Sequence, residues 1–474
     1  MPESFRYCGS VLKSNRTICD MISAISVIVI CGNTQYTVLK QGYDKELGEI
    51  IMEINELLKG IDCACGRHHR CDIRYIAIGS NAIAQLGDMV KGYGRILLVA
   101  DENTYAVAGE KTEKALTGKI LDKVIFSGKT VLIPNEEAID RVMQNIDGIE
   151  LIIGIGSGVI QDLCKYVSHT TGLPYYIVAT APSMDGYAST GAAMILGGMK
   201  VTVSAGVPAA IIADTEVLRN APMEMIQAGY GDIVGKYSAL NDWRLSQIVN
   251  DEYFCQDIYD LTMDMVHKTL ELADGLLKRE EKSVKVLMEA LVIVGIAMSF
   301  AGSSRPASDS EHHLSHFFEI TGIVNGEEYF PHGIDVAYST VVTAKLREKL
   351  LSMPWPDKQY RLEREEYTAQ VKQIYGPVGE GCIALQDKVG LYEKDMLSVY
   401  RAKETEIRKI LAQMPKAEEI QKMLAAVNLN MDAFYKLYSA DKIDNAIFYA
   451  KELKDRYTVL WMYYDMFGGE RDES

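Results

Sequence analysis

The sequence predicts a two-part chain, an α/β half built on a parallel sheet followed by an all-helical half. Three observations carry that prediction. From about residue 73, short apolar runs alternate with amphipathic stretches, the pattern of strands joined through helices on the sheet faces. Beyond about Asp214 the strand signals stop and helical periodicity takes over. At 474 residues the chain is also too long for one ordinary core. The expected divisions are residues 1–60, 61–213 and 214–474.

Residues 1–60 form an N-terminal extension with little pattern. Its apolar run Met21–Cys31 is too short to span a bilayer. Asp20 flanks it on the wrong side for a signal peptide, and no A-x-A cleavage site follows. The run reads as a buried strand and the chain as cytoplasmic. Next comes Cys63-Ala-Cys65-Gly-Arg-His68-His69-Arg-Cys71, which looks like a metal knuckle. No second CxxC closes a tetrahedral site, so the expectation is a reduced surface loop. The nine cysteines lack the dense spacing of a disulfide scaffold, as befits a reducing compartment.

In the α/β half, Ile73–Ile78, Arg95–Ala100, Lys123–Phe126, Glu150–Ile153 and Tyr175–Thr180 read as strands, with amphipathic segments such as Glu136–Asn145 between them. A parallel sheet of this kind takes ligands at the carboxyl ends of its strands. In the second half, Thr215–Asn241, Ile258–Leu277, Lys282–Met298 and Glu311–Glu319 have helical periodicity. Charged helical sequence continues to the C-terminus, broken at Pro354 and Pro356. The formal charge of −16 argues against a nucleic-acid partner, because phosphate neutralisation needs a basic face.

Several motifs carry chemistry. Leu151-Ile-Ile-Gly-Ile-Gly156-Ser157-Gly158 followed by a helix lets backbone approach a phosphate, with helix N–H groups facing the anion, although tight strand-to-helix turns use the same residues. Asp101, right after a strand, suits either a ribose hydroxyl, which favours NAD over NADP, or a helix N-cap. Thr180-Ala-Pro-Ser183-Met-Asp185-Gly-Tyr-Ala-Ser189 lies where a ligand would contact the end of the next strand; turn chemistry is the bland alternative. Arg305 in Ser303-Ser304-Arg305-Pro306 is either a phosphate fork or a surface cation. Finally, Gly231-Asp232, Ser310-Glu311-His312-His313-Leu314-Ser315-His316 and Pro331-His332-Gly333 together offer a carboxylate and imidazoles. One carboxylate with two imidazoles leaves a divalent metal an open position, the mark of a catalytic site. His312 and His316 share one helix face, so one can bind metal while the other faces a substrate.

Together GIGSGVIQDLCKY (154–166), TAPSMDGYAS (180–189), GYGDIVGKYSAL (229–240), SSRPASDSEHHLSH (303–316) and PHG (331–333) resemble the sn-glycerol-1-phosphate dehydrogenases. That family shares a superfamily with iron-type alcohol dehydrogenases, glycerol dehydrogenase and dehydroquinate synthase. RYTVLWMYYDMFG (456–468) and CACGRHH (63–69) are similar to segments of its bacterial AraM-type branch. The resemblance implies a dehydroquinate synthase-like fold, with an N-terminal dinucleotide-binding domain, an all-α C-terminal domain and the site between them. It implies metal ligands Asp232, His312 and His332, with zinc most suited and nickel or iron tolerated. It implies a substrate-hydroxyl contact at Asp185, a substrate-side histidine at His316, and proton relay through either. Gly156, Ser157, Gly158, Asp162, Thr180, Ser183 and Ser189 are the implied NAD or NADP contacts beside Asp101, and Lys165, Lys236 and Arg305 the phosphate contacts. The implied reaction is metal-dependent, NAD(P)H-linked reduction of dihydroxyacetone phosphate to sn-glycerol 1-phosphate in a homodimer.

Two departures bear on affinity. Ile155 replaces a glycine usual in this loop and is expected beside the pyrophosphate, and Asp309 adds negative charge near the anion site. Three rival readings remain: a polyol or glycerol dehydrogenase on an unphosphorylated substrate, a dehydroquinate synthase-like lyase, whose branch usually has Glu at the place of Asp232, and a non-catalytic NAD-binding protein.

Overall fold

The chain divides into two units, Met1–Glu53 and Ile54–Ser474. A computed structural model describes residues 27–31, 34–38, 54–197 and 199–468. In the first unit β1 (Val27–Cys31) pairs antiparallel with β2 (Thr34–Val38). The apolar run thus holds a strand over its second half; its first half lies outside the described residues.

The second unit opens with a two-residue hairpin, β3 (Ile61–Asp62) against β4 (His68–His69). Next in the chain come β5 (Tyr75–Gly79), β6 (Arg95–Asp101), β7 (Ile120–Phe126), β8 (Leu151–Gly156) and β9 (Tyr175–Ala179). An antiparallel hairpin of β10 (Gly191–Leu196) and β11 (Met199–Ser204) then precedes β12 (Ala210–Asp214). Six of these strands form one parallel sheet, ordered β5-β12-β9-β8-β6-β7.

All five expected strands are present with shifted ends. The last sheet strand and the hairpin are additional. Ala210–Asp214 is a short, wholly buried apolar run, which periodicity cannot separate from the start of a helix. The chain visits β6 and the edge strand β7 before returning to β8, so the order reverses between β6 and β8. A ligand crevice is expected at the carboxyl ends there.

Strand alternation corrects the expectation for Ile155. Its side chain is fully buried in the sheet core with Leu98, Ala100 and Val178, and not beside an anion. Successive residues of a strand point to opposite faces, so a residue next to a loop can still belong to the core.

Helices dominate the remainder. The expected helix Thr215–Asn241 is two, Thr215–Leu218 and Met223–Asn250, divided at Pro222 because the residue before proline avoids helical geometry. Gln256–Leu270, Ala273–Leu277, Glu281–Ala301, Ser310–Asn325 and His332–Ser352 follow. Among the described residues, Glu281–Ala301 is the one helix long and apolar enough to cross a membrane, and 89% of its apolar window is buried inside the protein. It packs as the core of the bundle.

Candidate active site

Glycine explains how two of the proposed ligands meet. Helices Met223–Asn250 and His332–Ser352 lie so close that a Cβ on Gly333 would sit 2.1 Å from the Ala228 carbonyl oxygen. One on Gly231 would sit 2.6 Å from the Gly333 carbonyl oxygen. Their neighbours, Asp232 and His332, are thereby brought together. His312 joins them from the first turn of Ser310–Asn325. Ligating atoms of Asp232, His312 and His332 all lie within 4.8 Å of one another.

The surrounding groups prepare this cluster. Glu311 Oε1 lies 2.7 Å from His312 Nδ1, which fixes the ring and leaves Nε2 3.6 Å from Asp232 Oδ1. Such a carboxylate behind a histidine is the usual support for a metal ligand. Burial, reinforced by Lys236 and the neighbouring imidazoles, holds His312 well below the ordinary histidine range. It is therefore neutral, the form that can ligate. Lys236 Nζ sits between Asp232 Oδ1 (2.7 Å) and Asp185 Oδ2 (2.6 Å) and donates to the Ala307 carbonyl (3.0 Å). Burial disfavours its charge, but the two carboxylates outweigh that and hold its pKa above the usual lysine value. Burial and the Asp232 charge push Asp185 up to about 6. His316 lies one turn beyond His312, its ring stacked on His332 with centroids 5.4 Å apart. His313 is fully buried on another face, and neither ring nitrogen has a hydrogen-bond partner.

A cleft of about 1190 Å³ opens at the carboxyl ends of the sheet. Asp101, Ser157 and Thr180 line it, together with Lys111, Lys129 and Ile160. Asp101 caps the next helix, its Oδ1 accepting from Asn103 N (2.8 Å) and Thr104 N (2.9 Å), so the N-cap role and a place on the cleft wall coexist. Ser157 precedes helix Gly158–Thr171 without a side-chain cap, which leaves first-turn N–H groups for an anion. Gly156 is required by packing, since a Cβ there would be 2.6 Å from Ile160. Gly156, Gly158, Asp162, Ser183 and Ser189 do not line it.

The phosphate candidates need correction. Lys165 is fully buried and donates to Gly186 O (3.1 Å), Gly191 O (2.7 Å) and Ser189 Oγ (3.2 Å), with Asp162 3.6 Å away. It holds the 180–191 loop in place. All five N–H donors of Arg305 are engaged, by Glu252, Asp309, Ser246 and the Tyr457 carbonyl. Asp309 is the buried partner of Arg305 at 2.7 Å, rather than a charge set against an anion site. Lys236 serves the two aspartates. A sequence motif names a cation but not the carboxylates and carbonyls already claiming it.

One residue was missed: Glu311, whose signal was its place directly before His312.

Comparison with known proteins fits this geometry. Residues 77–222 match the family model for iron-containing alcohol dehydrogenase. A glycerol-1-phosphate dehydrogenase [NAD(P)+] of Halalkalibacterium halodurans is 31% identical over 422 residues, covering 86% of this chain and 98% of the relative. The chain belongs to the glycerol-1-phosphate dehydrogenase family. Another relative of that name, from Geobacillus stearothermophilus, is 33% identical over 62% of this chain and 74% of its own length. The Methanosarcina acetivorans glycerol-1-phosphate dehydrogenase is 36% identical over 51% of this chain and 69% of its own. Solved structures share the fold at lower identity. An archaeal halo-thermophilic Red Sea brine pool alcohol dehydrogenase matches with TM-score 0.54 and 13% identity, over 86% of this chain and 94% of that one. The sulfoacetaldehyde reductase of Bifidobacterium kashiwanohense, in complex with NAD+, matches with TM-score 0.53 and 13% identity, over 80% and 90%. The α/β plus all-helical plan is thus the dehydroquinate synthase-like architecture of the glycerol-1-phosphate dehydrogenase family.

Proposed function

We propose that this chain reduces dihydroxyacetone phosphate to sn-glycerol 1-phosphate with NADH or NADPH, reversibly and with a divalent metal. The observation that carries the reading is the loop from Thr180 to Ser189. Thr180 lies on the cleft wall, and the Asp185 N–H donates to Asp232 Oδ2 at 2.9 Å. One short segment therefore joins the dinucleotide crevice to the Asp232, His312 and His332 cluster.

The cluster suits a divalent cation: two imidazole nitrogens and a carboxylate oxygen within 4.8 Å, with His312 kept neutral. A bound zinc, nickel or iron ion would act as a Lewis acid on the substrate ketone. A bound nicotinamide would supply the hydride, while the protein supplies orientation and electrostatics. Glu311 fixes His312, and Lys236 balances the charge of Asp232 and Asp185. Asp185 and His316 flank the cluster, and either can pass the proton to the nascent hydroxyl. The first-turn N–H groups after Ser157 take the cofactor pyrophosphate. A cytoplasmic location rests on the scattered cysteines, and a homodimer on the family resemblance.

The burial of Lys165 and Arg305 favours a second reading, oxidation and reduction of an unphosphorylated polyol. Zinc- or nickel-loaded protein mixed with NADH or NADPH and dihydroxyacetone phosphate, followed at the nicotinamide absorbance, separates the two. An enantiomer-specific coupling enzyme identifies the product. Metal-dependent oxidation yielding only the 1-phosphate is expected. Preference for dihydroxyacetone would move the chain to the polyol dehydrogenases.

A further inference from the structure

Cys63, Cys65, His69 and Cys255 are far apart in sequence and meet in space. We propose that they hold a second metal ion, a four-ligand structural zinc centre separate from the Asp232 cluster. The sequence expectation of a surface loop fails because the closing ligand is not a second CxxC. It is Cys255, the residue just before helix Gln256–Leu270.

The distances suit a closed tetrahedral shell. All four ligand atoms lie within 4.8 Å of one another. Cys63 Sγ is 3.4 Å from Cys255 Sγ, Cys65 Sγ is 3.3 Å from His69 Nε2, and Cys255 Sγ is 3.6 Å from the same nitrogen. With zinc–sulfur bonds of about 2.3 Å and zinc–nitrogen bonds of about 2.0 Å, tetrahedron edges are about 3.8 Å and 3.5 Å. The sulfur pair at 3.4 Å is far beyond a disulfide bond of about 2.05 Å. Cys255 and His69 are buried, Cys63 and Cys65 half-buried, and the four-ligand set leaves no position for a substrate. That arrangement is structural, and soft thiolates select zinc over magnesium or calcium.

The surroundings are built for ligation. His69 Nδ1 is 2.9 Å from the Phe300 carbonyl oxygen, and the ring stacks on Phe300 at 5.7 Å, so Nε2 is left facing the sulfurs. The Cys65 N–H donates to Cys63 Sγ (3.3 Å), and Tyr253 OH lies 3.4 Å from Cys65 Sγ. Gly66, with φ of 85°, makes the turn that returns the chain to Arg67 and donates to the Cys63 carbonyl (3.0 Å). Cys63 Sγ also lies 3.2 Å from Asp257 Oδ2. As a thiol it donates there; as a thiolate it needs a cation to offset the pair.

The consequence reaches the active site. The ion would clip the β3–β4 hairpin to the segment 251–255. Glu252 in that segment grips Arg305 with both oxygens, and Arg305 holds Asp309 at the start of the helix carrying His312.

Cobalt substitution tests this, because the Asp232 cluster contains no sulfur. Cobalt-loaded, thiol-reduced protein is expected to show intense thiolate-to-cobalt charge-transfer absorption. The band should persist in Asp232→Asn and vanish in Cys255→Ser and in Cys65→Ser. Metal analysis should give a second equivalent of zinc in the wild type, lost in either cysteine variant and retained in Asp232→Asn. The wild-type band suffices as evidence if the serine variants fail to fold. Absence of that band in wild-type protein with its thiols titrated as reduced would overturn the proposal. So would a Cys63–Cys255 disulfide in protein purified under reductant.

Discussion

Gly333→Ala tests whether helix contact, rather than ligand identity alone, makes the Asp232 cluster. The added Cβ would fall 2.1 Å from the Ala228 carbonyl oxygen and 2.7 Å from its carbon. Ordinary carbon–oxygen contact is about 3.3 Å, so the helices must part by about 1.2 Å. The obstacle is backbone, and no side-chain rotation relieves it. Overpacking of this kind costs about 1–3 kcal/mol, tolerable in a chain of this size. The larger effect is on geometry. His332 adjoins Gly333, and a shift near 1 Å far exceeds the tolerance of about 0.2 Å on ligand distances. A misplacement of that order lowers turnover about 100-fold. Thermal melting, metal competition against a chromogenic chelator and kcat/KM give the readouts. Gly92→Ala is the control, since nothing lies within 4 Å of its built Cβ. A folded Gly333→Ala protein with wild-type metal affinity and turnover would refute the reasoning.

Two further substitutions follow from the same geometry. Asp232→Asn should abolish metal-dependent turnover while leaving the melting transition cooperative; wild-type activity would remove Asp232 from the ligand set. Glu311→Ala frees the His312 ring and should weaken metal binding at the cluster about 10- to 100-fold, measured by chelator competition. Unchanged affinity would make Glu311 a bystander.

The sequence by itself determined the alternation of strands and helices, the glycine loop after β8, and the Gly-Asp, Ser-Glu-His and Pro-His-Gly pieces of the cluster. These are local signals: strand period, turn glycines and short spacings within one helix show in the order of residues. Pro222 also left a visible mark, although the helix break it causes was read through. Tertiary structure alone decided which charges are available. Lys165 and Arg305 look like phosphate ligands until Gly186, Gly191, Glu252 and Asp309 are seen to occupy them. Ile155 looks like a neighbour of the anion until the sheet turns it into the core. Cys255 acquires meaning only when folding carries it to Cys63, Cys65 and His69. Ile155 follows from strand alternation, while the cations and the cysteine share another reason. A buried polar or charged group is defined by the partners that offset its desolvation, and those partners come from distant parts of the chain.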